Sequence, residues 1–132
     1  MIYNNILLTV QDPVNIETVR SLLIEQAELS RLEPGCARFE VYHSHENPSL
    51  FLLVEQWESQ EHLDAHRKEK ACVDVYFPKI LPLVDRVPHR SDRVICPPRN
   101  SPGCAYRNVN CSVVPPCDPV VTGSVPPGHA AV

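Results

Sequence analysis

The residues best suited to chemistry are a histidine, a glutamate and a tryptophan that lie close together in the chain. His66 follows Leu63 by three residues, so both share one face of a predicted helix and the imidazole turns toward the sheet. An imidazole titrates near neutral pH and can accept or donate a proton. Glu55 and Trp57 share one face of a predicted strand, which pairs a carboxyl group with a flat indole. Together they predict a proton-transfer site with an aromatic wall.

Each of these side chains also has a structural alternative. A buried His66 can be satisfied by a backbone carbonyl or by Glu55. Trp57 is also typical of a packed core, because a lone Trp in a small domain usually anchors packing. Glu55 could orient His66, pair with Arg38 or face solvent at the sheet edge, since an unpaired buried carboxylate costs several kcal/mol or takes up a proton. The sequence leaves these alternatives open.

The six His and six Cys do not form a metal-binding pattern. His62 and His66 have the i, i+4 spacing that can share one zinc ion, but the Glu of the H-E-x-x-H motif is missing. His43 and His45 lie on one face of a strand end, which is a weak pattern. No C-x-x-C pair occurs among the cysteines of the last third of the chain, Cys96, Cys104, Cys111 and Cys117. We therefore predict no metal site.

Hydrophobic periodicity predicts four strands and three helices before residue 96. In chain order they are a strand at 2–10, a helix to about 32, strands at 36–44 and 50–58, a short helix after Ser59, a helix at 71–80, and a strand from 83 to between 87 and 95. The second and third strands are about five residues apart and therefore predict an antiparallel hairpin.

This order of elements predicts an α+β fold of the split βαβ, or ferredoxin-like, type. Such a fold has an antiparallel four-stranded sheet with helices on one face. The first and third strands are apolar on both sides, as at Leu7 and Leu8 in the first and Leu52 and Leu53 in the third. Because water would otherwise contact a large apolar patch, we predict a homodimer that forms through the free sheet face.

Composition predicts one domain followed by a tail. The chain has 132 residues, and nine of its 14 Pro lie after residue 87, together with four of the six Cys. We assign residues 1–95 to the domain and expect the Pro- and Cys-rich residues 96–132 to be disordered, since they cannot bury enough apolar area to offset chain entropy.

Charge and hydropathy exclude two kinds of partner. The net charge of −4 offers no basic surface for nucleic acid. The longest apolar run, residues 50–54, is far shorter than a membrane-spanning helix. No basic leader precedes an apolar stretch after Met1, so we expect a soluble cytoplasmic protein.

Three segments closely resemble the antibiotic biosynthesis monooxygenase domain family. They are E-P-G-C-A-R-F-E-V-Y at 33–42, F-L-L-V-E-Q-W-E-S at 51–59 and L-D-A-H at 63–66. The combination of E-P-G-C, E-x-W-E-S and L-D-A-H at these separations is the most specific part. The resemblance covers residues 1 to about 90 and does not extend to the tail.

The resemblance implies a ferredoxin-like fold assembled as a dimeric α/β barrel. It also implies oxygenation of a quinol or polyphenol by O2 without metal, flavin or haem, so that no cofactor is expected and the partners are a small aromatic substrate and O2. Haem-degrading relatives are similar in outline and Asn5 fits them, but His66 and Tyr76 depart from their Trp and His. The alternatives are an isomerase or other proton-transfer enzyme on the same fold, and a non-catalytic small-molecule-binding module.

The resemblance also assigns roles to the candidate residues. A cofactor-free oxygenase must deprotonate an electron-rich substrate, hold the anion and exclude bulk water. His66 would take the phenolic proton, and Trp57 with Phe39 or Tyr76 would sandwich the ring. The predicted catalytic residues are His66, Trp57 and Glu55, and the predicted substrate-binding residues are Asn5, Arg38, Phe39 and Tyr76.

Overall fold

A computed structural model describes residues 1–95 of the chain, and Met1–Asp92 form one compact unit. The predicted tail, residues 96–132, lies outside the described residues. The elements are β1 (Ile2–Val10), a 3-10 turn (Pro13–Asn15), α1 (Ile16–Arg31), β2 (Cys36–His43), β3 (Leu50–Trp57), α2 (Gln60–His66), a π-helix (Ala71–Ile80), a second 3-10 turn (Leu81–Leu83) and β4 (Val84–Ser91).

The four strands form one antiparallel sheet in the order β2-β3-β1-β4. The predicted α+β ferredoxin-like fold is thereby confirmed. The helices cover one face of this sheet, and α1 packs against the π-helix and β2. The core between the layers is built from large, almost fully buried side chains, chiefly Leu8, Leu23, Phe39, Phe51, Leu53, Trp57 and Ile80.

The last helix has the predicted bounds but a wider turn than predicted. In this π-helix the N–H of Leu81 donates to the carbonyl of Tyr76, five residues earlier. Pro78 lies inside the segment and has no N–H to donate, so an ordinary i→i+4 ladder would be interrupted there. Hydrophobic spacing alone does not distinguish the two kinds of helix, which is why the sequence predicts only a helix.

The second face of the sheet, which we call the open face, carries a row of apolar side chains across all four strands. Strand register places Tyr42, Leu52, Leu7 and Val87 side by side on it. Tyr42 and Val87 are each 49% exposed. The homodimer predicted through this face stays a prediction. No helix within residues 1–95 is long and apolar enough to cross a bilayer.

Gly35 makes the turn between α1 and β2 and is predicted to be irreplaceable. Its φ of +80° is unfavourable for any residue with a Cβ, and a Cβ there would overlap the imidazole of His62. We expect Gly35→Ala to lower the free energy of unfolding by at least about 2 kcal/mol, measured by urea denaturation. The double variant Gly35→Ala/His62→Ala should recover only part of the steric cost, because the Cβ of residue 62 would still lie 2.6 Å from the added Cβ. A loss below about 0.5 kcal/mol would contradict this account.

Candidate active site

A cavity of about 290 Å³ lies between the helix-covered face of the sheet and the helices. Its volume is near the lower end of the range for small-molecule sites. The residues that line it come from three strands and three helices: Asn4, Ile6, Gln26, Glu55, Leu63, His66, Arg67, Cys72, Tyr76, Phe77, Leu81 and Arg86. The site therefore exists only in the folded domain.

His66 ends α2 and turns toward the sheet, as its spacing from Leu63 predicts. The imidazole is 4% exposed. Its Nδ1 lies 2.8 Å from a carboxyl oxygen of Glu33, and its Nε2 lies 3.2 Å from Sγ of Cys72. Burial lowers the pKa of His66 to about 4, with a smaller contribution from the charge of Arg67. The ring is therefore neutral at physiological pH and able to accept a proton.

Glu33, not Glu55, orients this imidazole. Burial raises the pKa of Glu33 to about 7, and the charges of Glu69 and Glu55 add to the effect. Above that pH the Nδ1–H of His66 donates to the carboxylate, which leaves the Nε2 lone pair directed toward the thiol of Cys72. The Glu33–His66 pair can thus take up one proton near neutral pH.

Glu55 faces inward and is 3% exposed. Burial raises its pKa, although hydrogen bonds from Trp57 and Asn4 act in the opposite direction. The indole Nε1–H of Trp57 donates to Glu55 across 3.2 Å. Two sequence alternatives for Glu55, pairing with Arg38 and exposure at the sheet edge, are therefore wrong. A carboxyl group on the cavity wall can accept a hydrogen bond from a ligand when it is ionised and donate one when it is protonated.

Tyr76 and Arg86 add a donor and a positive charge to the cavity. Arg86 Nε donates to the phenol oxygen of Tyr76 across 2.9 Å, so the hydroxyl proton stays available for a ligand. Burial raises the pKa of Tyr76 to about 12 and keeps it a phenol. These two groups favour an oxygen that carries negative charge.

Trp57 and Phe39 lie behind the imidazole, whereas the sequence analysis placed them against a substrate ring. The ring centroids of Trp57 and Phe39 are 4.4 and 6.0 Å from that of His66, and neither residue lines the cavity. Both are almost fully buried. Of the predicted ring-binding residues, only Tyr76 lines it. Trp57 instead fixes the positions of His66 and Glu55.

The structure does not bring Asn5 and Arg38 to the cavity. Side chains alternate along β1, so Asn4 lines the cavity and Asn5 lies on the open face, where its Nδ2 donates to Ser91 across 3.1 Å. Arg38 pairs with Glu40 at 2.5 Å on the same open face. The prediction that these two side chains share a pocket with His66 is corrected accordingly.

Gln26 on α1 was missed by the sequence analysis, as were Asn4, Glu33, Cys72 and Arg86. Gln26 is 1% exposed and lines the cavity, and within residues 1–95 its Oε1 has no hydrogen-bond partner. Gln26 lies three residues after Leu23, on the apolar stripe of α1, and this position could have identified it from the sequence. A polar side chain on that stripe is buried, and a buried amide requires hydrogen-bond partners. A polar ligand in the cavity would supply one.

Among the described residues, no group of three His, Cys, Asp or Glu side chains is arranged to hold a metal ion. His62, one of the spaced histidines, instead has its Nδ1 2.8 Å from the hydroxyl of Ser59.

The Glu33–His66 pair predicts a specific dependence of stability on pH. The lowered pKa of His66 gives stability at neutral pH that is lost as pH falls from 6.5 to about 4. The raised pKa of Glu33 gives stability at low pH that is lost as pH rises from 4.5 to about 7. Between pH 4.5 and 6.5 the two slopes oppose each other.

A variant that lacks one partner should show the pH dependence of stability that the other partner causes. Relative to wild type, we expect the unfolding free energy of Glu33→Gln to rise with pH across this window and that of His66→Gln to fall. Urea denaturation at several pH values measures both, and the raised pKa of Glu55 cancels in the difference. Parallel curves for the three proteins would contradict the assignment.

The fold and the cavity define a class: ferredoxin-like α+β domains with a cavity between sheet and helices that is lined by acid–base groups. The family model of the antibiotic biosynthesis monooxygenases matches residues 1–75. The chain belongs to this family, as its sequence motifs predicted, and the family supports a general monooxygenase-like function.

Solved structures share the fold. A Bacteroides thetaiotaomicron protein described as a possible oxidoreductase is 24% identical, covering 68% of this chain and 94% of its own, with a TM-score of 0.63. An antibiotic biosynthesis monooxygenase is 24% identical over 70% and 98%, with a TM-score of 0.62. A Methanosarcina mazei protein is 22% identical over 70% and 95%, with a TM-score of 0.57. Among curated proteins, none matches the chain.

Proposed function

We propose that this protein is a monooxygenase that oxidises a quinol or a related small aromatic with O2 and without a bound cofactor. The observation that carries the proposal is the buried Glu33–His66 pair, whose imidazole lines a cavity of about 290 Å³. A cavity of this size suits a single-ring aromatic. Membership of the family supports the reaction class, and the absence of cofactor follows from the sequence resemblance.

The first step is removal of a phenolic proton. Above pH 7 the Nε2 lone pair of His66 faces a thiol, which is a weak hydrogen-bond donor, so a phenol can displace it. The phenolic proton moves to Nε2 while the Nδ1 proton moves to Glu33, whose pKa of about 7 suits it as the final acceptor. The hydroxyl of Tyr76 and the positive charge of Arg86 hold the resulting anion.

The phenolate then supplies the electrons that reduce dioxygen. One oxygen atom bonds to a ring carbon and the other leaves as water, so that a hydroquinone and O2 give a hydroxyquinone and H2O. The four electrons taken up by O2 come from the substrate, and no external reductant is needed. The apolar part of the lining, Ile6, Leu63 and Leu81, keeps bulk water from the anion.

Oxygen uptake over a panel of quinols tests this function. We expect consumption of one O2 per quinol and, with ¹⁸O₂, one labelled atom in the product and one in water. Turnover that is unchanged under nitrogen would instead identify an isomerase or other proton-transfer enzyme. Ligand binding with no product across the panel would identify a non-catalytic binding module, and either outcome would overturn the proposal.

A further inference from the structure

Cys72 belongs to the hydrogen-bonded chain Cys72–His66–Glu33 and is the one member of that chain with no role in the proposed reaction. Its Sγ lies 3.2 Å from Nε2 of His66, and Nδ1 of the same ring lies 2.8 Å from Glu33. A thiol, an imidazole and a carboxyl group in this order are the parts of an activated nucleophile. All three side chains are buried or nearly so, and Cys72 lines the cavity.

Other groups around the cavity indicate that it accepts a polar ligand. The amide of Gln26 is 1% exposed, and its Oε1 has no partner within the described part of the chain. The hydroxyl of Tyr76 and the guanidinium of Arg86 offer hydrogen-bond donors to an oxygen atom of that ligand. A nucleophile and carbonyl-binding donors around one cavity suit an electrophile whose reactive carbon is conjugated to a carbonyl group.

We propose that Cys72 captures quinones covalently in this cavity. The inference rests on the proposed function in one respect, namely that a quinone is the product class of that reaction. The capture chemistry itself requires neither O2 nor turnover.

The addition balances without an external oxidant or reductant. An electron pair of Sγ forms a bond to a ring carbon of the quinone, and the S–H proton moves to Nε2 of His66 as the Nδ1 proton moves to Glu33. The quinone oxygen takes up the proton that the Glu33–His66 pair received from the thiol. The ring proton is then lost to the second oxygen, which gives a thioether hydroquinone. The addition is redox-neutral overall: the two carbonyl carbons are reduced, the ring carbon that bonds to sulfur is oxidised, and sulfur keeps its oxidation state.

Cys36 is the natural internal control. Burial raises the pKa of Cys36 to about 11 and that of Cys72 to about 12, so both are protonated at rest. Cys36 is the more exposed of the two, and within residues 1–95 these are the cysteines present, both with free thiols. Exposure and pKa alone therefore predict that Cys36 reacts faster, whereas capture in the cavity predicts the reverse.

The test treats the full chain with p-benzoquinone at neutral pH under nitrogen and follows, among the peptides of its six cysteines, those that contain Cys36 and Cys72 by mass spectrometry. We expect Cys72 to be modified at least about tenfold faster than Cys36, at a rate that saturates with quinone concentration. In His66→Gln the rate at Cys72 should fall at least about tenfold and that at Cys36 should not change. A Cys72 rate equal to or below that of Cys36, or one that His66→Gln leaves unchanged, would overturn the proposal.

A second measurement avoids dependence on the variant. The non-electrophilic 1,4-dimethoxybenzene should slow modification of Cys72 in the wild-type protein and leave Cys36 unaffected, while in urea the two thiols should react alike. Failure to protect Cys72 selectively would contradict capture in the cavity. Because the adduct test supplies quinone and excludes O2, its result does not depend on oxygenase turnover. A Cys72 adduct in a protein that consumes no O2 with any quinol would overturn only the proposed function. O2-dependent turnover in a protein that forms no Cys72 adduct would overturn only this inference.

Discussion

The His66→Gln variant is expected to lose about 10²- to 10⁴-fold in kcat/KM for O2-dependent quinol oxidation. Glutamine is similar in reach and can hydrogen-bond Glu33, but it cannot accept a proton from a phenol. The measurement is initial O2 uptake at limiting quinol, with circular dichroism to verify the fold. A loss smaller than threefold would show that His66 takes no part in proton removal.

His62→Gln is the matched control, because His62 is on the same helix and contacts Ser59 instead of the cavity. It should retain near wild-type turnover. The pH profile adds a second readout: kcat/KM should rise with pH to a plateau above about 7, since Glu33 must lose its proton before Nε2 of His66 is free. In Glu33→Gln that inflection should disappear, whereas a purely structural role for Glu33 would leave it in place.

Trp57→Ala is expected to lower the free energy of unfolding by about 3–5 kcal/mol. The indole is fully buried, packs 4.4 Å from the ring of His66 and donates to Glu55, so its removal leaves a cavity and an unpaired carboxyl oxygen. Urea denaturation followed by circular dichroism measures the loss, since the variant has no Trp for fluorescence.

Leu32→Ala provides the comparison, because Leu32 is 83% exposed and its truncation should change stability by less than about 0.5 kcal/mol. A loss below about 1 kcal/mol in Trp57→Ala would contradict its place in the core.

The fold was predictable because its signals are local. The alternation along β2, the apolar spacing of α1 and the turn at Gly35 each act within a few residues of the chain. Ser59 was expected to begin α2, and its hydroxyl does accept a hydrogen bond from the N–H of His62. Local pattern therefore determines both the order of elements and the type of sheet.

The site was less predictable because its contacts are long-range. Glu33 lies 33 positions before His66, and no spacing rule joins a loop residue to a helix end at that distance. Asn5 was predicted from its fit to the haem-degrading relatives, whereas Asn4 lines the cavity, because in a strand a shift of one position reverses the face. Trp57 was assigned to a ligand wall because composition does not separate a packing ring from a binding ring.

The sheet separates the cavity from the open face. The cavity beneath the helices is on one side, and the row Tyr42, Leu52, Leu7 and Val87 is on the other. If two copies join through that row, each copy keeps all of the residues that line its own cavity. Substitutions in this row that prevent dimer formation would therefore leave every residue of the cavity lining unchanged, so quaternary structure and chemistry could be altered independently.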